Sequence, residues 1–400
     1  MRPDLMLAGG IFFMLILEQG KLSGRFSGSC SRILLLFIAY IMISTPFTEW
    51  PGSVLRGNLV DFIKAIVFFY FTILIVDTDV RLKHFIFIFM ACQIVRILEP
   101  LYLHELYGYW GSQTYLGYGE FADRLGGAPS DIINPNELAF LIAMLFPFLH
   151  YLWGNGRFLA KFSYLSLVPA LLYVLVLTMS RSGFIAMLII AWNIFIKSRY
   201  KLVLIIAGCI ISIMAWTNMT EIQKDRYISI TGAEEVQGAS TFRGRTDGMM
   251  TELGVALERP VVGHGLGTSR EAMYNVAGGA QISHNLYLET LMETGIIGLL
   301  IYLFFLKAVH DTLKQANGRL FKADNQDKKR KKGKPYSDSD FLRYERNLLM
   351  ALIAVFWMFI IFSFAQYGLS RYHWYFLAGA AVVLHRQITE KTILPNKTLS

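Results

Sequence analysis

Residues 59–76 read LVDFIKAIVFFYFTILIV, an almost wholly apolar run. As a helix it can cross the hydrocarbon core of a bilayer, which takes about 20 mostly apolar residues. Lys64 lies near its outer end, where its stem lets the ammonium snorkel to the interface. Runs of the same kind recur at Leu5–Glu18, Arg32–Pro46, Lys83–Leu98, Glu137–Tyr151, Tyr164–Met179, Gly183–Ile196, Leu202–Trp216, Asn285–Leu306, Asn347–Phe364 and Trp374–Leu384. Together they predict an all-α integral membrane protein with about eleven transmembrane helices. Composition agrees. The 400 residues are 54% hydrophobic and only 17% charged, with a mean hydropathy of +0.44, which leaves too little charge to coat a soluble enzyme.

The net charge of +9 would suit a nucleic-acid partner, but its placement points elsewhere. Lys21, Arg25 and Arg32 follow the first run, Arg157 and Lys161 the fifth, and Lys197, Arg199 and Lys201 the seventh. The densest cluster, Lys328–Lys332 with Lys334, follows the ninth. If the runs alternate across the membrane, all these loops share one side. The positive-inside pattern then puts them in the cytoplasm and the amino terminus outside, with no nucleic acid involved. The 328–334 cluster reads either as a solvated topology-setting loop or as a grip on anionic lipid headgroups. Cys30 falls in an inner loop and Cys92 and Cys209 in spans, so no disulfide framework is expected. The amino-terminal run has no basic flank of any size and no convincing cleavage site, and it reads as a retained span.

This alternation divides the chain. Residues 1–216 hold the first eight spans, with an outer segment near 99–136. Residues 217–284 form a large outer loop, 285–306 the ninth span, 307–346 a basic inner loop, and 347–400 the last two spans and a tail. Lys314–Asp340 lacks the apolar residues to build a core and reads as flexible. The first outer segment holds Tyr102, Tyr107, Tyr109, Trp110, Tyr115 and Tyr118, which suit either a headgroup belt or sugar stacking. It also holds Arg124, and it ends at Asn134-Pro135-Asn136-Glu137, a turn and helix start. In the large loop acidic residues slightly outnumber basic ones, so any anion site there must be local. Asp247–Leu257 has the spacing of an amphipathic helix lying on the membrane, and Pro260–Gly267 reads as a tight turn.

Three stretches have the residues for chemistry. Ser180-Arg181-Ser182-Gly183 puts an arginine at the outer junction of two spans, Arg243-Gly244-Arg245 puts two more before the amphipathic segment, and Ser283-His284-Asn285 puts a histidine where the chain re-enters the membrane. Arginines grip a phosphate bidentately, and a histidine near neutrality can take a proton from an attacking hydroxyl. Each has a plainer reading: Arg181 as an interface anchor, Arg243 and Arg245 as solvated charges, His284 as a helix-start residue. Glu289 and Glu293 share one helical face near the interface, where carboxylates must pair or line a wet cavity.

The stretch His284-Asn285-Leu286-Tyr287-Leu288-Glu289-Thr290-Leu291-Met292-Glu293-Thr294-Gly295 closely resembles the signature of the O-antigen ligase and polymerase superfamily. Three further stretches fit in order: Asn134–Ala139, Ser180–Gly183, and Gly244-Arg245 followed by Pro260–Gly265. In detail the resemblance covers about Arg124–Gly298. It implies a glycosyltransferase of the bacterial inner membrane whose helical fold is similar to other integral-membrane (GT-C) glycosyltransferases, with its active site facing the periplasm. Such enzymes transfer a glycan from undecaprenyl diphosphate to an acceptor hydroxyl, on lipid A–core for a ligase and on a second glycan for a polymerase, with neither cofactor nor metal. By the resemblance, His284 is the base and Arg181 and Arg245 hold the diphosphate. Arg124, Arg243, Asn285 and Glu293 are supporting candidates. The family usually has about twelve spans, one more than the sequence suggests here.

A small-anion transporter is the competing class. Lys64, Glu289 and Glu293 would serve it, but paired broken helices or related halves are not legible in the sequence.

Overall fold

The structure is a computed structural model that describes residues 9–11, 13, 14, 17, 24–117, 120–154, 156–228, 239–279, 283–330, 342–366 and 368–393. Apart from the amino-terminal run, which is only partly described, each apolar run falls on a helix. These are α1 (Ser29–Ser44), α2 (Leu59–Ile75), α3 (Asp79–Tyr107), α4 (Pro135–Phe148), α5 (Phe158–Leu177), α6 (Arg181–Lys197), α7 (Lys201–Asn218), α11 (Leu286–Arg330), α12 (Arg343–Phe362) and α13 (Tyr372–Ile393). Between α7 and α11 lie α8 (Glu221–Ile228), α9 (Ala239–Glu258) and α10 (Ser269–Ala277).

Among the described residues, 7 helical stretches are long and apolar enough to cross a membrane, those of α1–α5, α11 and α12. The chain is therefore an all-α multi-pass membrane protein. The other expected spans fall short of that standard for visible reasons. Helix α6 has only 17 residues, α13 has Arg386, Glu390 and Lys391 in its last turns, and several side chains of α7 lie outside the described residues.

The core lies where α13 packs against α2, α3, α11 and α12, with α11 also against α1. Phe62, Phe305, Tyr375 and Phe376 are fully buried there. The rings of Phe89 and Phe376 stack at 3.8 Å, and Phe37 meets Phe62 edge-on at 5.5 Å. Lipid is as apolar as these side chains, so close packing and dispersion must hold the helices together.

Three features depart from the sequence reading. First, α3 continues through Tyr107 and closes on Gly108, and the rest of the outer segment contains an antiparallel hairpin of β1 (Gly111–Gly117) and β2 (Glu120–Leu125). Second, the inner stretch expected to be flexible is helical as far as Arg330. Buried Leu313, Ala316 and Leu320 join it to the core, and Arg346 pairs with Asp324 at 2.5 Å, so its apolar positions suffice once α12 lies alongside. Residues 331–340, the remainder of that stretch, lie outside the described residues.

Third, α11 is not one continuous helix, because Gly295 has φ 65° and ψ −172°. The turn after α9 fills the break. The backbone N–H groups of His264 and Gly265 donate to Met292 O (2.8 Å) and Glu293 O (3.0 Å), and Ile296 N donates to Pro260 O (2.8 Å). The backbone groups released by the break are thereby paired again, as an apolar surrounding requires. A Cβ on Gly295 would lie 2.2 Å from Val261 O, so only glycine fits.

Candidate active site

Three motif stretches turn out to be helix starts. Asn134 Oδ1 accepts from the N–H groups of Asn136 and Glu137, both at 3.0 Å, and caps α4 with Pro135 in its first turn. Ser180 Oγ accepts from Gly183 N at 3.1 Å and caps α6. Asn285 Oδ1 accepts from Tyr287 N (3.0 Å) and Leu288 N (3.2 Å) at the start of α11. The side chains preferred at such positions satisfy donors that have no partner within the helix.

The caps of α4 and α6 are tied together. Asn136 Oδ1 accepts from both Ser180 Oγ and Arg124 Nη2, each at 2.9 Å. Arg124 also donates to Thr178 O at 2.8 Å and is buried, so it acts as a clamp on the α5–α6 turn. Within that turn Met179 has a φ of 47°, a left-handed conformation that costs a non-glycine residue of order 1 kcal/mol. The clamp holds the strain, and Arg181 follows as the first, half-buried residue of α6. Gly183 is packed so closely that a Cβ there would lie 2.3 Å from Ala139 Cβ, which brings the two helix starts together.

The loop between α12 and α13 joins these starts to α11. Leu286 N donates to Ser363 O at 2.8 Å, and Gly368 N donates to Glu289 Oε2 at 2.6 Å. Arg371 then reaches Glu137 on α4 at 2.5 Å. Helices α4, α6 and α11 thus begin at one end of the bundle, and each packs against α12.

His284 is half-buried and immediately precedes the α11 cap. Its neighbour Ser283 donates to Glu252 Oε2 at 2.9 Å, and the His284 N–H also bonds the Glu252 carboxylate. Glu252, on α9, is 2% exposed, and that burial raises its carboxyl above the ordinary 4.5 despite the two hydrogen bonds that oppose the shift. Sequence reading counted Glu252 only among the loop acids. The signal available was a carboxylate one turn before Val255 and Ala256, which are also buried.

The remaining expected site residues separate by place. Asn285 is a helix cap. Glu289 accepts two backbone N–H groups, from Gly368 and Leu369. Glu293 is buried and bonds Gly267 and Ser269 at the start of α10, so it fastens that helix. Arg243 and Arg245 lie on α9, but their side chains lie outside the described residues. Of the apolar residues expected to lie on the membrane, part packs inward against α10 and α11. Glu252, Val255 and Ala256 turn inward, whereas Met250, Leu253 and Leu257 are exposed.

Residues 165–303 match a family model described as O-antigen ligase. That stretch is about a third of the chain, and over it the chain is similar to the O-antigen ligase family. The match runs from α5 past the break in α11 and takes in Arg181, Arg245, Glu252, His264 and His284, whereas Arg124 and the α4 cap precede it. No curated protein matches the chain.

Proposed function

We propose that the chain transfers an oligo- or polysaccharide from undecaprenyl diphosphate to an acceptor hydroxyl at the periplasmic face of the bacterial inner membrane. The acceptor is lipid A–core for a ligase, and a surface-polysaccharide polymerase would use the same site. One observation carries the reading: His284 stands at the start of α11, held through Ser283 and its own backbone by buried Glu252. This lies at the same end of the bundle as Arg181.

The chemistry follows from those parts. The imidazole of His284 takes the acceptor hydroxyl proton, and the oxygen attacks the anomeric carbon. The bond from that carbon to the diphosphate oxygen breaks, and a single displacement inverts the configuration. Undecaprenyl diphosphate departs with both electrons. Arg181 and Arg245 neutralise the charge that grows on it, so no proton donor is needed at the leaving oxygen.

A glycan profile tests this in a deletion strain restored with the wild-type chain or with His284→Ala. Full-length polymer stranded on its lipid carrier is the expected result for the variant of a ligase, and single repeats without a ladder for the variant of a polymerase. Unchanged surface glycan in the deletion strain, or full restoration by the inserted variant, overturns the reading.

A further inference from the structure

Where α2, α3, α4 and α13 meet, at the end of the bundle described above, lies a cavity of about 480 Å³ whose charged lining is Asp61, Lys64, Arg96, Glu137 and Arg371. We propose that this cavity is a subsite for an uncharged, hydroxyl-rich group, a sugar of the transferred glycan or its acceptor, and not for the diphosphate. The inference deepens the transferase reading and rests on it for the source of the sugar.

The argument from charge is direct. Each lining cation already faces a carboxylate. Lys64 pairs with Asp61 at 2.8 Å, Arg371 with Glu137 at 2.5 Å, and Arg96 with Asp131 through Nη2 at 3.0 Å. A diphosphate entering here would meet the lining carboxylates Asp61 and Glu137 as well as the cations, and much of its attraction would be cancelled. A hydroxyl group meets no such conflict, because it donates to the carboxylate and accepts from the cation of the same pair. Such charge-assisted bonds are the stronger kind. Ala65, Ile133 and Leu141 supply apolar wall for the carbon face of a ring. The volume lies within the usual range for small-molecule sites, roughly 300–1,000 Å³.

The cavity is also placed to serve the chemistry. A second, smaller cavity shares Phe140, Arg371 and His373 with it and extends to Leu286, two residues beyond His284. The second cavity is only about 30 Å³, so the two share a wall and not a passage, and the subsite lies at the same end of the bundle as His284.

The test uses the full-length chain in nanodiscs. The probe is the oligosaccharide released by mild acid from the host's own lipid-linked repeat units, with inorganic pyrophosphate as competitor. The expected result is saturable binding that pyrophosphate does not displace. The double variant Asp61→Asn, Lys64→Met should bind at least about tenfold more weakly, as loss of a charged hydrogen-bonding pair implies. Both of those side chains are exposed, so its melting temperature should not change. No saturable binding by the wild type, displacement by pyrophosphate, or equal affinity in a folded double variant each overturns the proposal. His284→Ala separates this from the transferase reading. If it binds the probe and still transfers glycan, the base assignment fails and the subsite stands. If it loses transfer while the wild type never binds the probe, the subsite fails and the base stands.

Discussion

His264 and His284 occupy two short turns that both press on the start of α11, yet their surroundings are opposite. His264 is 1% exposed, with Nδ1 against Glu49 Oε2 at 2.7 Å and Nε2 against Val255 O at 2.9 Å. Its ring stacks on Trp50, and its backbone N–H fills the break in α11. Both ring nitrogens are committed, so His264 acts as a fastener between the 45–50 segment and the α9–α10 turn. His284 is half-buried, and its backbone N–H and its neighbour Ser283 both bond the Glu252 carboxylate. The two histidines thus differ in burial, His264 lying inside the fold and His284 half-buried at a helix start.

The largest effect should come from His284→Ala. Losing a positioned general base lowers a rate by about 10²–10⁴, so glycan transfer should fall by that factor while the melting temperature stays unchanged. His264→Ala should behave in reverse. It removes two ring hydrogen bonds and a buried partner of Glu49, and a loss of about 3 kcal/mol in stability is expected. Measuring melting and transfer on both variants side by side would break the contrast if His264→Ala kept full stability and lost transfer.

Gly295→Ala sharpens the contrast from the side of the break. The added methyl would meet Val261 O at 2.2 Å, and the backbone would keep a positive φ. A loss of about 2–3 kcal/mol is expected, together with weakened seating of the His264 turn. Unfolding by denaturant in detergent reads this directly, and a wild-type midpoint would mean that α11 can run straight through. Arg181→Lys should be smaller, about a tenfold fall in transfer, because an ammonium cannot reproduce the guanidinium fork. Unaltered transfer would leave Arg181 as an interface anchor.

What the sequence disclosed follows from where the information is written. Lipid as solvent demands long apolar runs, so the spans of α2, α3 and α12 were legible from composition. The caps at Asn134, Ser180 and Asn285 were partly legible because they need particular short polar side chains. The break at Gly295 was hidden, since one glycine leaves the hydropathy of 286–306 unchanged and the filling turn lies about 30 residues earlier. The pairs Arg371–Glu137 and Arg96–Asp131 join residues far apart in the chain, and no local pattern announces them. The 111–125 hairpin was missed because the rings of Tyr115 and Phe121, which meet at 5.3 Å across the strands, look in sequence like interfacial aromatics. The helix to Arg330 was missed because its charges resemble those of a linker until the buried stripe of Leu313, Ala316 and Leu320 is placed against α12.

The smallest expected effect concerns Glu252, which couples α9 to the turn carrying His284. Burial raises its carboxyl above 4.5, so the folded protein favours the protonated form more than the unfolded chain does. That contribution to stability is full below the unfolded value and is lost as pH rises through the folded one. Glu252→Gln cannot ionise, yet its amide oxygen can still accept from Ser283 Oγ and the His284 N–H. The variant should therefore match the wild type near pH 4 and melt about 1–3 °C higher at pH 8. Transfer should be little changed in Glu252→Gln and about tenfold lower in Glu252→Ala, which removes the partner of the His284 N–H and leaves Ser283 Oγ only the longer bond to Asn285 O at 3.2 Å. A pH-independent melting difference would mean that the Glu252 carboxylate stays ionised in the fold. Equal transfer by both variants would confine Glu252 to packing, leaving the placement of His284 to the Asn285 cap alone.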